Sequence, residues 1–138
     1  MGDVLRVSER AALAIHAMVL LTEVDGALSS GTMAERLQAS QAHLSKVLER
    51  LASAGLVASR RGAGGGYRLA QPADKIVLLD VYEALEGSPR RDGCLFASPV
   101  CDEDGCILGD RIERARQDVQ KALATTTLAQ AVAKRRRP

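Results

Sequence analysis

The fold is decided by residues 32–69, which read TMAERLQASQAHLSKVLERLASAGLVASRRGAGGGYRL. Apolar residues at helical spacing predict a short helix over 32–38 and a longer helix over 41–54, with a tight turn between them. Ser40 stands where it can cap the longer helix, and Gly55 stands where it can end it. Two helices joined in this way predict a helix-turn-helix unit.

A glycine-rich hairpin follows the second of these helices. The runs 56–60 and 67–70 predict two short strands, and residues 62–66, Gly-Ala-Gly-Gly-Gly, predict the tip that joins them. A helix-turn-helix followed by such a hairpin is typical of a winged helix. We therefore predict a mainly α fold, a winged helix-turn-helix with a small β-hairpin wing and a long C-terminal helix.

The rest of the chain also shows mainly helical periodicity. The further predicted helices cover 8–22, 78–86, 107–124 and 128–133. Ser8 is the expected cap of the first of them. Residues 88–106 are interrupted by prolines and glycines, so we expect an irregular stretch there.

Length and composition exclude several classes of protein. The chain has 138 residues, a net charge of +2, 46% hydrophobic residues and 2% aromatic residues. The apolar fraction excludes a disordered chain, and three Cys are too few for a secreted disulfide scaffold. The scarcity of aromatic rings argues against a stacking platform for single-stranded nucleic acid. No stretch is long enough to span a membrane or reads as a signal peptide, so we expect a cytoplasmic protein.

The small net charge conceals an uneven distribution along the chain. Residues 36–68 carry six Lys and Arg against one acidic residue, a net +5, whereas residues 92–110 carry five acidic residues and no Lys or Arg. The tail 134–137 adds four cations, which we interpret as a solvated end. A basic helix-turn-helix and wing favour double-stranded DNA as the partner.

The second helix of the helix-turn-helix is the predicted recognition helix. Its N-terminal end enters the major groove in proteins of this fold, so short polar side chains are expected there. The candidates for DNA contact on this helix are Ser40, Gln41, His43, Ser45, Lys46 and Arg50. In the wing, glycines allow close approach to the DNA backbone, and flanking arginines can reach the minor groove. The wing candidates are Arg60, Arg61, Gly65 and Gly66.

All three cysteines fall within 13 residues of the irregular, acidic stretch. Cys94, Cys101 and Cys106 are separated by six and by four residues. Their acidic neighbours disfavour free thiolates, whereas a bound metal centre would stabilise them. The spacing is looser than that of a zinc ribbon and suits an iron–sulfur cluster better. Zinc, and a thiol switch without metal, remain alternatives.

A cluster on three cysteines needs a fourth ligand of another type. His43 lies on the predicted recognition face, and His16 is expected to be a core histidine. Carboxylates remain as candidates, either Glu9 on the first helix or one of four acidic residues near the cysteines. Those four are Asp102, Glu103, Asp104 and Asp110. The sequence shows no Cys-x-x-Cys of a thiol oxidoreductase and no catalytic triad or paired acids, so we do not expect an enzyme.

Together these motifs resemble the winged-helix regulators of the IscR, NsrR and RirA type. The segments that carry the resemblance are the wing Arg61-Gly62-Ala63-Gly64-Gly65-Gly66-Tyr67-Arg68-Leu69, the stretch 48–57 before it, and the stretch 79–87 after it. The three cysteines fall where the sensing members have their cluster ligands. Thr127-Leu128-Ala129 resembles the end of the dimerisation region in that family.

The resemblance implies a homodimeric bacterial transcription factor, usually a repressor, that reads a palindromic operator in double-stranded DNA. It implies a [4Fe–4S] or [2Fe–2S] iron–sulfur cluster on the three cysteines. By position, Ser40, Ser45 and Lys46 match base- or phosphate-contacting places in that family, and Arg61 matches a minor-groove arginine. Tyr67, within the wing motif, is a further candidate DNA contact. Members of the NsrR type take a carboxylate ligand from the first helix of the partner subunit, and Glu9 matches that place, with Glu for Asp. Members of the IscR type carry a His where this chain has Gly109.

We therefore expect three functional parts. They are a DNA-binding domain over 1–87, a cysteine-bearing sensor loop over 88–106, and a dimerisation helix with a basic tail over 107–138. Loss of the cluster is expected to change the placement of the two recognition helices and with it the affinity for the operator. The alternative is a cluster-free winged-helix regulator that senses through cysteine oxidation, zinc or a small ligand. An iron–sulfur electron carrier is a more distant alternative, because such a carrier would normally hold four Cys.

Overall fold

The structure, a computed structural model, describes residues 8–87, 107–108 and 110–135. The elements are α1 (Glu9–Glu23), α2 (Ser30–Leu37), α3 (Gln41–Ser53), β1 (Val57–Arg60), β2 (Gly66–Leu69), α4 (Leu78–Glu86), α5 (Arg111–Thr125) and α6 (Leu128–Arg135). This architecture confirms the predicted mainly α winged helix-turn-helix with a small hairpin wing. The predicted sensor loop over 88–106, with its three cysteines, lies outside the described residues.

Serine hydroxyls begin the first three helices. Ser8 accepts a hydrogen bond from the N–H of Ala11 at 3.1 Å, and Ser40 accepts one from the N–H of His43 at 3.3 Å. Both caps were predicted. The start of α2 was predicted at residue 32, but the helix begins two residues earlier, because Ser29 accepts a hydrogen bond from the N–H of Thr32 at 3.1 Å.

Helix α3 ends in a left-handed residue, as the sequence predicts. Gly55 has φ +75°, and its N–H donates to the carbonyl of Ala52 at 3.0 Å. The N–H of Leu56 donates to the carbonyl of Leu51, also at 3.0 Å. These two bonds form a Schellman motif, which satisfies the last carbonyls of the helix and turns the chain into β1.

The turn of the helix-turn-helix uses the same motif without a glycine. Gln38 has φ +53° and is the one non-glycine residue with positive φ among the described residues. Its N–H reaches the carbonyl of Glu35, and the N–H of Ala39 reaches the carbonyl of Ala34 at 2.9 Å. The chain therefore reverses between α2 and α3 within three residues, at the cost of a strained backbone at Gln38.

The wing is fastened to the chain segment that precedes α2. Strands β1 and β2 pair antiparallel, with Val57 opposite Leu69 and Arg60 opposite Gly66. On the other edge of β2, Leu28 donates its N–H to the carbonyl of Tyr67 at 2.9 Å and accepts from the N–H of Tyr67 at 2.7 Å. The base of the wing thus has backbone partners on both sides.

The described core is aliphatic, in agreement with the low aromatic content. Helix α1 contributes fully buried alanines, whose small side chains allow neighbouring helices to approach closely. The largest fully buried side chains are Met18, Met33, Leu44, Leu48, Leu51, Ile76, Leu128 and Val81. Tyr67 and Tyr82 are only partly buried against this core. Burial of these apolar side chains is the main stabilising contribution to the fold.

The C-terminal helix α6 returns to the same core. Leu128 and Val132 are buried among the residues of the winged helix, and α6 packs against α1. The N–H of Leu128 donates to the carbonyl of Ile76 at 2.9 Å, and the N–H of Leu78 donates to the carbonyl of Thr126 at 2.9 Å. The start of α6 is therefore joined directly to the start of α4.

Helix α5 buries none of its residues within a single chain. It begins at Arg111 rather than at the predicted residue 107, because Asp110 takes the N-cap position and its carboxylate pairs with Arg114 at 2.6 Å. Ile107 and Leu108 lie in a turn before it, and the Ile107 side chain is 87% exposed. Among the described residues, no helix has the length and hydropathy needed to cross a bilayer.

Polar pairs stabilise α5 from within the helix. Arg116 donates two hydrogen bonds to the Glu113 carboxylate, and Gln117 donates a third at 2.9 Å. The bonds from Arg116, followed by that from Gln117, lower the pKa of Glu113 to about 2. The helix is therefore stabilised locally, while apolar residues such as Val119, 42% exposed, have no buried environment in one chain.

Replacing Gln38 with glycine is expected to stabilise the protein by about 0.5–1 kcal/mol, because glycine adopts positive φ without the strain of a side chain. The measurement is the free energy of unfolding in urea. The matched control is Glu35→Gly, an exposed position inside α2, which should destabilise by about 1 kcal/mol. Destabilisation by both variants would contradict the strain assigned to Gln38.

Candidate nucleic-acid interface

The recognition helix α3 presents one polar face because its opposite face is buried in the core. Leu44, Val47, Leu48 and Leu51 are buried at helical spacing. Ser40, Gln41 and His43 are consequently exposed at the N-terminal end of the helix. This end also carries unpaired backbone N–H groups and the positive end of the helix dipole, both of which favour contact with phosphate oxygens.

Gln41 links the two helices of the helix-turn-helix. Its side-chain amide donates to the Ser30 hydroxyl at the start of α2, at 3.3 Å. A Cβ added to Gly31 would lie 3.7 Å from the same amide, so α2 and α3 approach closely here. The hydrogen bond orients Gln41 along the N-terminal end of α2 and limits the number of rotamers it can present to a partner.

Three candidate residues form a cationic stripe along the outer face of α3. His43, Lys46 and Arg50 are all exposed, and together they line one side of a cleft of about 270 Å³ between α3 and the start of α1. Ser45, in contrast, is half-buried and does not line this cleft. The structure thus brings three of the six predicted helix contacts to one cleft.

The wing carries its cations at the end of β1. Arg60 and Arg61 are exposed, and the tip that follows contains Gly62 at φ +101° and Gly64 at φ +74°. A Cβ at either of these tip glycines would meet no atom within 4 Å. The positive φ, and not the packing, therefore favours glycine at these two positions. The open tip leaves room for a partner to approach the wing.

Gly65 and Gly66, which the sequence marked as DNA contacts, have a tight structural environment. A Cβ on Gly65 would lie 2.2 Å from the carbonyl oxygen of Arg60. A Cβ on Gly66, at φ +131°, would lie 2.4 Å from the carbonyl oxygen of Leu28. These two glycines close the turn and allow the wing to pack on the segment before α2, and their contact with DNA remains a prediction.

Both the backbone and the ring of Tyr67 take part in the fold. Its N–H and carbonyl pair with Leu28, and its half-buried ring packs against the hydrophobic core. A role in DNA contact remains a prediction for this residue. The six cations counted in residues 36–68 are Arg36, Lys46, Arg50, Arg60, Arg61 and Arg68, and all of them are exposed.

The structure describes only some of the predicted metal ligands. The three cysteines lie outside the described residues, so their ligand role remains a prediction. Glu9 is exposed in the first turn of α1 and lines a cleft of about 470 Å³ together with His16 and His43. Within residues 8–87, 107–108 and 110–135, no three His, Cys, Asp or Glu side chains are placed to hold a metal ion.

His16 is not the core histidine that its position on α1 predicted. It is exposed, and its Nδ1 lies 2.7 Å from the carbonyl oxygen of Ala12 one turn earlier. The core at this level is filled by the neighbouring alanines of α1 and by Met18. The predicted helical spacing of α1 was correct. Because Ala and Leu alternate along this helix, the sequence did not show where its buried face ends.

Two features of the interface were not identified from the sequence. One is the hydroxyl-rich start of α2, where the Ser29 hydroxyl donates to Thr32 Oγ1 at 2.9 Å; Ser29, three residues before Thr32, was the available capping signal. The other is Arg10, which joins the cleft beside α3. No local pattern marks Arg10, because its place depends on how α1 packs across α3.

The whole chain is similar to a group of known regulators. A profile of the Rrf2 family, described as an iron-dependent transcriptional regulator, matches residues 7–134. The HTH-type transcriptional regulator YwgB of Bacillus subtilis is 38% identical over 99 residues. This match covers 69% of the present chain and 64% of YwgB, which is less than two thirds of that protein's length.

Two solved structures have the same architecture. The structure of CymR of B. subtilis, whose title names it the global cysteine regulator, has a TM-score of 0.76 at 28% identity and covers 94% of this chain and 98% of CymR. The structure of T. potens IscR has a TM-score of 0.75 at 27% identity and covers 95% and 88% of the two chains. The matched relatives are regulators rather than enzymes.

Replacing Gly66 with alanine is expected to destabilise the protein by about 2–3 kcal/mol, because the new methyl group would collide with the backbone of Leu28. Gly64→Ala, whose added Cβ meets open space, should lose only about 1 kcal/mol from its left-handed φ. Thermal and urea unfolding measure both variants. Equal losses would contradict the packing role assigned to Gly66.

Proposed function

The chain belongs to the Rrf2 family of transcriptional regulators, and we propose that it acts as a homodimeric repressor that binds a palindromic operator in double-stranded DNA. The observation that carries this proposal is the exposed, polar end of α3 beside a cationic, glycine-tipped wing. In winged helices these two elements read the major groove and an adjacent minor groove. Because its target is the chromosome, the protein acts in the bacterial cytoplasm.

The residues divide into those that read bases and those that hold phosphates. Gln41 and His43 carry donors and acceptors at the N-terminal end of α3, where side chains reach base edges. Ser40 and Lys46, both exposed, are the candidates for contact with the phosphate backbone. Arg61, directly after β1 where the tip of the wing begins, is the candidate for the minor groove, whose narrow A·T-rich form attracts arginine.

A dimer is supported by helix α5, which packs against α4 but buries none of its residues. A helix of 15 residues with an apolar stripe in this state favours a further partner surface. Its apolar residues are Ile112, Ala115, Val119, Ala122 and Leu123. Pairing of two α5 helices would place the two recognition helices on one face of the duplex, with half-sites about one helical turn, ~34 Å, apart. A sedimentation experiment that gives the mass of a single chain would contradict the dimer.

The donor set of the cysteine-bearing stretch fits an iron–sulfur cluster. Three thiols are the ligands that such clusters prefer, and Glu9 offers an exposed carboxylate as the fourth ligand. The description of the family as iron-dependent and the similarity to IscR support this assignment. When bound, a cluster supplies a redox-active centre whose presence or loss can report the iron or redox state of the cell.

A second candidate function is regulation without a cluster. The similarity to CymR, a cysteine regulator by its title, favours a sensor that responds to thiol oxidation or to a small ligand. The three cysteines would then act as thiols or as zinc ligands. The more distant reading, an iron–sulfur electron carrier, has no support from the matched relatives, which are regulators.

The Arg61→Ala variant is expected to lower the affinity for the operator by about 1–2 kcal/mol, because it removes a minor-groove contact. The loss should be largest on operators with an A·T-rich minor groove at the wing position. Fluorescence anisotropy with labelled duplexes at fixed salt measures the affinities. Arg61→Lys, which keeps the charge, is the control and should lose less. An unchanged affinity for Arg61→Ala would refute the role of this residue.

Protein purified without oxygen is expected to contain both iron and acid-labile sulfide, together with visible absorption. Replacing the three cysteines by serine should abolish all three signals while the far-ultraviolet circular dichroism of the winged helix stays unchanged. Zinc without sulfide, or neither metal nor sulfide after reconstitution, would refute the cluster and leave the second candidate function.

In protein that does hold a cluster, Glu9→Ala should weaken cluster retention. An unchanged spectrum and lifetime would remove Glu9 from the ligand set.

A further inference from the structure

Arg10, in the first turn of α1, is held rigidly by the end of α4. Its Nε donates to Glu86 Oε1 at 3.1 Å, and its Nη2 donates to Glu86 Oε2 at 3.2 Å. Such a two-point bond fixes both the position and the plane of the guanidinium group. The Ser8 hydroxyl, which caps α1, also donates to Glu86 Oε1. The Arg10 side chain nevertheless remains 47% exposed.

The exposed part of Arg10 faces the cationic stripe of α3. Arg10, His43, Lys46 and Arg50 line the cleft of about 270 Å³, and Val47 and Leu85 complete its lining. Three permanent cations and one imidazole, contributed by two different helices, therefore surround a single concave space. Among the described residues, those that line it include no carboxylate. An environment of this kind attracts a compact anion that can accept several hydrogen bonds.

The hydrogen-bonding capacity of Arg10 leaves donors available for such an anion. A guanidinium group has five N–H donors, and the bonds to Glu86 use two of them. Lys46 and Arg50 lie one turn apart on α3 and are both exposed. A tetrahedral phosphate group, with oxygens on all sides, can meet donors from α1 and α3 at the same time.

We propose that Arg10, together with Lys46 and Arg50, binds a phosphate group of the DNA backbone beside the recognition helix. The inference rests on the proposed function, since it names a further contact of the same DNA-reading surface. The cleft continues directly from His43, which lies on the exposed N-terminal end of α3. A strand whose bases are read by that end carries its phosphates past the outer face of the helix. Glu86 acts as the positioning residue that orients the guanidinium.

A backbone contact has a measurable signature in the salt dependence of binding. Each phosphate that a cation neutralises contributes about −0.9 to the slope of log K against log salt concentration. Arg10→Ala should therefore reduce the magnitude of that slope by up to about one, since Lys46 and Arg50 remain beside the same phosphate, and weaken binding to operator and to random duplex by the same factor. Arg10→Lys, which keeps the charge, should retain the slope. Lys75→Ala, an exposed cation before α4 that does not line the cleft, is the matched control.

The outcomes separate this inference from the proposed function. If the wild-type protein shows no salt-dependent binding to duplex DNA, the proposed function fails. If the wild type binds and Arg10→Ala keeps the full slope, or loses affinity only on the operator, the phosphate contact is overturned. Circular dichroism and thermal unfolding establish that both Arg10 variants are folded, so that a change in slope reports the contact.

Two further arms test the source of the phosphate and the role of Glu86. Inorganic phosphate replaces chloride at constant ionic strength. Inhibition of DNA binding in the wild type but not in Arg10→Ala would support a cleft that DNA phosphate and the free anion compete for, whereas phosphate binding that leaves the DNA affinity of the wild type unchanged would assign the cleft to the free anion instead of DNA. Glu86→Gln should weaken binding to duplex DNA, because an amide has a single acceptor oxygen and no longer holds the guanidinium at two points. This loss should vanish in the Arg10→Ala background. An equal loss in both backgrounds, or a gain, would contradict the positioning role.

Discussion

The packing of α3 against α1 is the constraint on which the rest of the structure depends. The recognition helix can present a polar face only because its leucines are fixed on the other side, and α1 meets them with alanines that permit close approach. This packing, together with the contacts that α3 makes with α2 and α4, sets the rotation of α3 about its axis, and hence which side chains face solvent. It also brings the first turn of α1 beside the cationic stripe, so that a residue far away in sequence joins the DNA-reading surface.

The helical arrangement divides the chain into buried and unpartnered parts. Helix α6 returns to the winged-helix core through Leu128 and Val132, whereas α5 contributes nothing to that core. Helix α5 is stabilised by its own polar pairs and leaves Val119 and Ala122 exposed. The architecture therefore separates the core of the winged helix from a helix whose surface is the basis of the proposed dimer.

The sequence predicted the elements well because local chemistry determines them. Ser8, Ser40 and Gly55 occupy the caps expected of them, and the hairpin forms around its glycine-rich tip. Position in the tertiary structure was harder to predict. His16 is exposed rather than buried, since small alanines blur the apolar face of α1. The wing glycines carried two different constraints that look identical in sequence, namely an open tip at Gly64 and a backbone contact at Gly66.

The same limit explains which site residues escaped prediction. The caps and turns depend on neighbours a few residues away, so spacing alone reveals them. The Arg10–Glu86 bond joins residues 76 positions apart, and only the crossing of α1, α3 and α4 makes them neighbours.

The hydrogen bonds between the start of α4 and the start of α6 also join residues that are distant in sequence. Because the start of α6 is bonded to the start of α4, the two ends of the intervening chain segment are held together. Closing a loop of twice the length adds only about 0.6 kcal/mol of entropic cost, so this part of the chain can lengthen, shorten or change its chemistry while the DNA-reading unit keeps its stability.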